Sequence, residues 1–510
     1  MSFDPKSKLL DTSLNRRQAL VAGAGALGAV ALGSQSTLAQ DASDKTGVDP
    51  DVWTPEYINS IAGTLEVDTA ADCAAITPLD YAGELSYWYV GPTEATPQLE
   101  VEIHDQHWAA WAETYPNIPL TSGENLINIG YNDLLDRVRT AATGSAAPAV
   151  CKMPILWGSE FAARGELQEI ALEDYGYTAE NFWPGALKSV TYNDKLWGIP
   201  TNNETMAFIW NKATFEAAGL DPETPPATWE EVRQFSKQIK DATGKAGYGM
   251  VARVNAGNTP FRFMPMLWAY GSGALDESEE SPTYQNVMVN NEGGIAALQL
   301  AYDMYVTDAS VPASALTNTQ TENGDLFISG EVAMMIAHPS EYASMRDKAA
   351  NASAADKEFA DQVVANMAYG LIPEGPVRRA VVFGGSNIHI FTNDAHGSEV
   401  DLDAARALLA FETGPEWSTR NAWLGSNPGN LRGFETTWNR ERLDTIPFLD
   451  VTTSMLPYGI PFPVVPQANQ IMNDIIPTMM QNALTETMTV QEAADAAADQ
   501  IASIMGGGGL

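Results

Sequence analysis

Three planar polar side chains stand next to one another in the middle of the chain, just before an apolar run. Asn202, Asn203 and Glu204 precede the residues Met206 to Trp210, and Pro200 should interrupt regular structure before them. So short an apolar run is typical of a buried strand rather than a helix. Polar groups at the start of a buried strand need hydrogen-bond partners. These three side chains therefore lie on the surface or line a cleft, where their amides and carboxylate would bind a polar ligand.

The sequence carries none of the common catalytic motifs. It has five histidines, and we find no H-E-x-x-H, no G-x-S-x-G and no phosphate-binding P-loop. Carboxylates are too numerous for a catalytic pair to be recognised by counting, so a glycosidase stays open as an alternative. His104 and His107 lie three residues apart, which is a poor metal site, and we expect both at the surface. No cofactor and no metal site is predicted.

Two cysteines, Cys73 and Cys151, are too few for a structural zinc site. In an exported protein they could pair in one disulfide. Two buried free thiols are the other interpretation, and the sequence leaves both open.

Length and charge bound the class of protein. The 510 residues are enough for two or more domains with real cores. The chain has 28 Lys and Arg against 65 Asp and Glu, a formal net charge of −37. Such a surface repels nucleic acid and anionic membranes, which both bind basic patches. It suits a soluble protein and says nothing about the contents of a pocket.

The first 39 residues read as a targeting segment. Arg16 and Arg17 precede the apolar run Ala19 to Leu32, and Thr37-Leu38-Ala39 ends in small residues, as a cleavage site requires. The pattern resembles a twin-arginine signal, although a general secretory signal with two arginines would read similarly. Both place the mature protein outside the cytoplasm. Removal of the segment takes away four positive and two negative charges, which leaves a net charge of −39.

Several segments, in the same order, resemble the family 1 extracellular solute-binding proteins, the sugar-binding subunits of ABC importers. Lys195 to Phe215 contains G-I-P and W-N-K-A-T-F, which resemble the family's G-I-P and Y-N-K-x-x-F. Pro226 to Glu231 resembles its P-x-T-W-d-E helix start, with Thr228 and Glu231 as a capping box. Gly330 to Tyr342 resembles its G-x-x-A-M segment, without the aromatic residue usual at Ser340. The resemblance extends from about residue 85 to 505.

This resemblance implies an α/β protein with the two-lobe periplasmic-binding-protein fold, type II-like, whose hinge has about three crossings. The first lobe would comprise residues 84–202 and 376–425, and the second residues 203–375 and 426–505. Residues 40–83 would be an N-terminal extension, which could wrap onto the first lobe with Cys73 as an anchor. We also expect strands at Asn117 to Leu120 and Cys151 to Leu156, and helices at Pro97 to Tyr115 and Asn132 to Thr143.

The resemblance also implies where a ligand would bind. Aromatic rings would stack on sugar faces, glycines would let the backbone approach, and loops beyond the carboxyl ends of strands would face the cleft. The candidate ligand-binding residues are Glu94, Trp157, Ser159, Asn202, Asn203, Glu204, Phe261, Trp268, His338, Glu341, Tyr342, Gly384, Gly385, Ser386, Asn387 and Arg432. Tyr342 could replace the aromatic residue missing at Ser340.

The function implied is that of a periplasmic, monomeric substrate-binding subunit. It would close its lobes on a sugar, oligosaccharide or polyol and deliver it to ABC permease membrane subunits, with no nucleic-acid partner. Arg262, Arg432 and Lys152 leave an anionic ligand such as a sugar acid or a glycerol phosphate open. A secreted carbohydrate-active enzyme, a glycosidase or lyase, is the alternative.

Overall fold

The computed structural model describes residues 49–94, 96–254, 258–279, 282–353, 356–423 and 425–506. The predicted targeting segment 1–39 lies outside these residues, as does the first part of the predicted extension. Within them, no helix combines the length and apolar character that a bilayer span requires.

A six-stranded sheet forms the centre of what we call the first lobe. Parallel pairing joins Tyr87–Tyr89 to its neighbours Leu126–Asn128 and Val150–Pro154. Strand Gly384–Ile390 is antiparallel both to Val150–Pro154 and to Ile199–Glu204. Apolar clusters cover both faces of this sheet. Alternate side chains of a strand point to opposite faces, so Val150 packs in one cluster and Cys151 in the other. A short strand, Asn427–Pro428, closes the edge beside Ile199–Glu204.

A four-stranded sheet forms the centre of the second lobe. Strand Ala207–Asn211 is antiparallel to Met367–Gly370 on one side and to Val332–Ala337 on the other. Ala246–Tyr248 pairs in parallel with Val332–Ala337 at the edge. Every residue of Val332–Ala337 and Ala207–Asn211 is buried. Such continuous apolar strands are expected in a sheet covered by helices on both faces.

The chain passes between the two sheets where the lobes meet. It leaves the first sheet at Glu204 and enters the second at Ala207. It returns between Gly370 and Gly384, and it leaves again after Pro428. On these connections, Val381–Val382 pairs with Gly459–Ile460. The exact boundaries of the two lobes stay a prediction.

Helices surround both sheets. The α-helices are Pro55–Ile61, Thr69–Ala74, Gln98–Thr114, Tyr131–Thr143, Gly158–Ala163, Pro184–Val190, Lys212–Ala217, Trp229–Thr243, Asn258–Ala269, Glu292–Tyr302, Gln320–Ile328, Pro339–Ala350, Lys357–Ala365, Asn393–His396, Leu402–Thr413, Pro415–Asn421, Thr437–Thr445, Leu449–Ser454, Ala468–Gln470, Ile476–Leu484 and Val490–Gly506. Short 3-10 turns are Leu172–Tyr175, Ala179–Asn181, Ala313–Leu316, Leu431–Glu435 and Leu456–Tyr458, and π-helical turns are Asp303–Thr307 and Ile471–Ile475. The short antiparallel strands Thr191–Tyr192 and Lys195–Leu196 form a hairpin.

Residues 49–77, which we call the N-terminal strap, tie two distant parts of the molecule together. Helix Thr69–Ala74 packs on Leu402–Thr413 of the first lobe. Helix Pro55–Ile61 packs on Leu449–Ser454, in the connections between the lobes. Trp53 lies between Trp183 and Phe434, with ring centroids 4.6 and 5.4 Å away. The strap therefore bridges the first lobe and the segment that follows the last crossing.

Two expectations about strands are wrong. Asn117 to Leu120 is not a strand, and the pairing is made instead by Leu126–Asn128. Pro119 has no N–H for a ladder, and its carbonyl accepts from the Asn125 side chain at 2.8 Å. Pro200 lies inside strand Ile199–Glu204 rather than ending it. The register of this strand with Gly384–Ile390 shifts here, so that Thr201 has no partner residue, and this bulge next to Pro200 accommodates the missing donor.

Candidate functional site

Glu204 lies at the junction of the two lobes. It is the last residue of strand Ile199–Glu204, and its backbone lies opposite Gly384. Ala207, three residues on, pairs with Ala337 at the end of the second sheet's central strand. His338 follows that strand, and its Nε2 lies 4.0 Å from a Glu204 carboxylate oxygen. The pairing of the strands thus brings side chains from both lobes to one place.

The Glu204 carboxyl has an unusual electrostatic environment. Burial raises its pKa to about 7, against the opposing attraction of Lys152 and the Asn202 amide. Asn202 Nδ2 donates to one carboxylate oxygen at 3.4 Å. A third of the side chain nevertheless reaches solvent. At neutral pH the group therefore exists as both acid and carboxylate, and it has room for a further hydrogen-bond partner.

His338 is a neutral donor pointing toward the same place. Burial, with a contribution from Arg262, lowers its pKa to about 3. Its Nδ1 accepts from the backbone N–H of Ser340 at 3.3 Å, so the proton of the neutral ring is on Nε2. This Nε2–H is buried and has no acceptor in the described part of the chain. The 4.0 Å gap to Glu204 is too long for a hydrogen bond.

A buried ion pair supports His338 from the second lobe. Glu341 accepts from the backbone N–H of His338 at 3.2 Å, the geometry of a capping box at helix Pro339–Ala350. The same carboxylate pairs with Arg262 of helix Asn258–Ala269. Both side chains are more than nine-tenths buried. Arg262 Nε and Glu341 Oε2 remain buried without a partner among the described residues.

Glycine allows an aromatic ring to approach this group. A Cβ on Gly384 would lie 3.0 Å from the Phe261 ring and 3.2 Å from the Glu204 side chain. Phe261 itself packs edge-on against Phe462, with centroids 5.1 Å apart. Gly385 has φ +125°, and a Cβ there would meet the Asn202 carbonyl oxygen at 2.1 Å. Only glycine fits at this position of the strand pair.

Two aromatic residues of the first lobe, Trp157 and Tyr131, pack together, and Tyr131 is within electrostatic range of Glu204. Trp157 is buried, and its Nε1–H has no acceptor in the part of the chain that the structure describes. Its ring lies 5.4 Å from that of Tyr131. Burial and the nearby Glu204 carboxylate raise the pKa of Tyr131 to about 12. Tyr131 is not among the residues predicted from the sequence, because the strand that precedes it is Leu126–Asn128 rather than the expected Asn117 to Leu120.

Four predicted ligand-binding side chains already use their polar atoms within the protein. Ser159 Oγ donates to the Val465 carbonyl at 2.9 Å, and Asn203 Nδ2 to the Pro428 carbonyl at 3.0 Å. Asn387 Nδ2 lies 3.1 Å from Ser189 Oγ. Trp268 is fully buried, and its Nε1 donates to Glu277 at 3.0 Å. Trp268 therefore presents no face to a cleft.

The remaining predicted residues are more peripheral. Glu94 and Arg432 are exposed. Ser386 is half-buried, and its backbone carbonyl accepts from Thr201 Oγ1 at 2.8 Å. The half-buried Tyr342 ring packs on Phe448, with centroids 5.2 Å apart, so it does not replace the missing aromatic residue at Ser340 in this structure. The structure thus brings together Glu204, Phe261, His338, Glu341 and the Gly384–Gly385 backbone.

The possible disulfide between Cys73 and Cys151 is a prediction that the structure contradicts. Both thiols are free and buried. Cys73 packs in the apolar cluster on one face of the first sheet, and Cys151 in the cluster on the other face. Burial raises the pKa of the Cys73 thiol to about 12, which keeps it protonated and unreactive.

His107 is also not where we expected it. Only 2% of its side chain is exposed, and its Nε2 lies 3.0 Å from Glu412. Despite the burial of Glu412, this contact lowers the pKa of that carboxyl. Across the described ranges, no three His, Cys, Asp or Glu residues are grouped closely enough to hold a metal ion.

Comparison with known proteins gives one family. The sequence profile described as "Bacterial extracellular solute-binding protein" matches residues 75–419. A "Probable amino-acid ABC transporter periplasmic-binding protein" of Sinorhizobium fredii is 23% identical over 317 residues, 60% of this chain and 65% of that protein. An "sn-glycerol-3-phosphate-binding periplasmic protein" of Pectobacterium atrosepticum is 23% identical over 59% of this chain and 64% of that protein. The alignments thus span just under two thirds of these relatives.

Solved structures match over more of the chain. The maltose-bound MalE3 protein of T. maritima superposes with a TM-score of 0.66 at 20% identity, covering 83% of this chain and 100% of that one. A glycerophosphocholine complex from Mycobacterium tuberculosis gives a TM-score of 0.65 at 18% identity, covering 84% and 99%. These similarities confirm the predicted two-lobe α/β fold.

Proposed function

Since this chain belongs to the bacterial extracellular solute-binding proteins, we propose that it is the exported substrate-binding subunit of an ABC importer. It captures a sugar or related polyhydroxylated solute between its two lobes and delivers it to a membrane permease. The family consists of binding proteins, which argues against the alternative of a secreted carbohydrate-active enzyme.

The unsatisfied polar atoms around Glu204 are the observation that carries this proposal. Arg262 Nε, His338 Nε2 and Glu341 Oε2 on the second lobe and Trp157 Nε1 on the first are all buried without a partner among the described residues. A buried polar group without a hydrogen bond costs about 1–3 kcal/mol. A molecule bound beside the Glu204 carboxyl that reached these atoms would supply their missing hydrogen bonds.

The mixture of donors and acceptors indicates the chemistry of that molecule. Arg262, His338 and Trp157 offer N–H groups, while Glu204 and Glu341 offer oxygens. Hydroxyl groups suit such a mixture, because each can both donate and accept. The Arg262 guanidinium is already neutralised by Glu341, which favours a neutral polyol over an anion. The Phe261 ring would supply an apolar face for C–H groups.

Contacts that form only when the lobes close would stabilise the closed form relative to the open one. Ser159 of the first lobe donates to the Val465 carbonyl, in the segment that packs with the second. A ligand touching Glu204 on one side and His338 on the other would add further contacts across the same gap. Such differential contacts shift the population toward the closed form, which the permease would recognise.

The test is saturable binding without turnover. We expect one member of a panel of mono-, di- and oligosaccharides, polyols, sugar acids and glycerol phosphates to raise the melting midpoint of residues 40–510. Glu204→Gln and Phe261→Ala should each weaken that ligand by about tenfold or more, roughly 1.4 kcal/mol. Glu216→Gln, an exposed carboxylate just past the first crossing, is the matched control.

The proposal fails if no member of the panel shifts the midpoint, or if both site variants bind like the wild type. A midpoint shift that decays while product accumulates would establish the enzyme alternative. Export by the twin-arginine route is tested separately. Replacement of Arg16 and Arg17 by lysine should leave the precursor in the cytoplasm, whereas unchanged export would assign it to the general secretory route.

A further inference from the structure

A pocket lies on the first lobe, apart from the side chains grouped around Glu204. It has a volume of about 200 Å³ and opens next to strand Tyr87–Tyr89, under helix Gln98–Thr114. None of Glu204, Phe261, His338 or Arg262 lines it. At about 30 Å³ per water it has the volume of six or seven waters, which suits a small organic molecule.

The floor of this pocket is a set of buried side chains that hydrogen-bond one another. His107 and Glu412 form a buried pair at 3.0 Å, each 3% exposed or less. Asn421 Nδ2 lies 3.2 Å from His107 Nδ1 and 3.5 Å from Glu412 Oε2. Both ring nitrogens of His107 already have partners, so the His107–Glu412 pair has no free hydrogen-bonding atom on the imidazole for a ligand. The groups free to bind a ligand must therefore lie on the walls.

Two hydrogen-bond donors on the walls have no partner. Lys152 lines the pocket, and its side-chain ammonium makes no hydrogen bond or ion pair with any described residue. Its positive charge is within electrostatic range of both Glu412 and Glu204, whose carboxylates it favours. Trp423 also lines the pocket, and its Nε1–H is buried without an acceptor in the described ranges. Both donors would be satisfied by an oxygen-rich group such as a carboxylate.

One acid on the walls is also without a partner. The carboxylate of Glu100, on helix Gln98–Thr114, makes no hydrogen bond or ion pair with the described residues. Burial raises its pKa to about 6, so at neutral pH it is mostly a carboxylate in need of a donor. The rings of Tyr89 and Trp108 lie on the same walls, tied to His104 Nε2 at 2.8 and 3.0 Å. They hold an apolar surface between the charged groups.

We propose that this pocket binds a small carboxylate that carries a hydrogen-bond donor next to it, an amino or hydroxy acid. Lys152 and Trp423 take the carboxylate, Glu100 accepts from the amino or hydroxyl group, and the rings cover the carbon skeleton. A purely anionic ligand leaves Glu100 without a donor, and a purely cationic one leaves Lys152 and Trp423 without a hydrogen-bond acceptor. The site does not depend on the interlobe site or on its proposed ligand.

The experiment measures binding of four probes to residues 40–510 by calorimetry. L-serine and L-lactate carry both groups, propionate lacks the donor, and ethanolamine lacks the carboxylate. We expect saturable binding of serine or lactate, with propionate and ethanolamine at least about tenfold weaker. Serine above lactate identifies an amino acid as the class, and the reverse order a hydroxy acid. No saturable binding of any probe up to about 10 mM overturns the proposal.

Variants locate the binding. Trp423→Phe keeps the ring and removes only the N–H, and Lys152→Met removes the ammonium with little change in length. We expect each to weaken the bound probe about fivefold or more, while Glu113→Gln, an exposed carboxylate of the same helix, leaves it unchanged. Should Lys152→Met fail to fold, Trp423→Phe decides alone. If His338→Ala abolishes probe binding and Trp423→Phe does not, the probe binds between the lobes and the proposal is wrong.

Discussion

The folded surroundings of Glu204 change the pKa of its carboxyl. Its pKa of about 7 lies well above the ordinary value, because the surrounding protein disfavours the charge. The folded state therefore binds this proton more tightly than the unfolded state does. Stability from the protonated form is fully present below the unfolded pKa near 4.5 and is lost as pH rises through 7.

Glu204→Gln should remove this pH dependence. At pH 4.5 the variant and the wild type should melt together, and at pH 8 the variant should be more stable by about 1 kcal/mol. The gain is smaller than the pKa shift alone implies, since a third of the side chain reaches solvent. Melting midpoints from pH 4.5 to 8 measure it. A constant difference between the two proteins across that range would contradict the raised pKa.

The Arg262–Glu341 pair should show strong coupling. Arg262→Met leaves a buried carboxylate without its cation, and we expect a loss of about 3–5 kcal/mol. The double replacement Arg262→Met with Glu341→Leu removes both charges and should recover most of that loss. Urea denaturation of the two single variants and the double variant measures the coupling. Losses that simply add would show that the two side chains do not depend on each other.

The sequence predicted some of these side chains and missed others for identifiable reasons. Glu204, His338 and Glu341 were found because family-like segments surround them. Tyr131 was missed because it follows a strand of only three residues, Leu126–Asn128, whose pairing depends on distant chain. The burial of Trp268 and the contact of Tyr342 with Phe448 are decided by packing between elements far apart in the chain.

Among the secondary-structure elements, local rules were enough where the signal is local. The capping box of Thr228 and Glu231 does begin helix Trp229–Thr243, and both reciprocal hydrogen bonds are present. The helix expected at Asn132 to Thr143 is present as Tyr131–Thr143, with Gly144 as its C-cap. Pro200 does not end its strand, because pairing with strand Gly384–Ile390, almost two hundred residues away, continues on both sides of the bulge at Thr201. Short strands in a sheet are specified by their partners.

The N-terminal strap should contribute measurably to stability. Trp53→Ala removes a ring that packs on Trp183 and Phe434, and we expect a loss of about 2–3 kcal/mol. Val52→Ala, at an exposed neighbour, is the control and should change stability by less than about 0.5 kcal/mol. Chemical denaturation compares them. Equal stability of the two variants would mean that the strap is only loosely attached.

For the molecule as a whole, charge should matter more than any single ion pair. A net charge of −37 over the full chain produces self-repulsion that salt screens. Raising NaCl from about 0.1 to 1 M shortens the screening length from about 10 to 3 Å. We expect the melting midpoint to rise by several degrees. A midpoint that falls with salt would show that attractive surface pairs dominate instead.

The strap also sets an order of events while the protein is being made. Asn59 Nδ2 donates to Asp450 at 3.2 Å, across 391 residues of chain, and Arg440 reaches back to Asn59. At about 5–20 residues per second, the ribosome needs tens of seconds to produce the partner of a segment that emerged among the first. The amino end of the chain therefore waits, undocked, until nearly all of the protein exists. Docking of the strap would therefore follow the synthesis of residue 450 and mark a nearly complete chain.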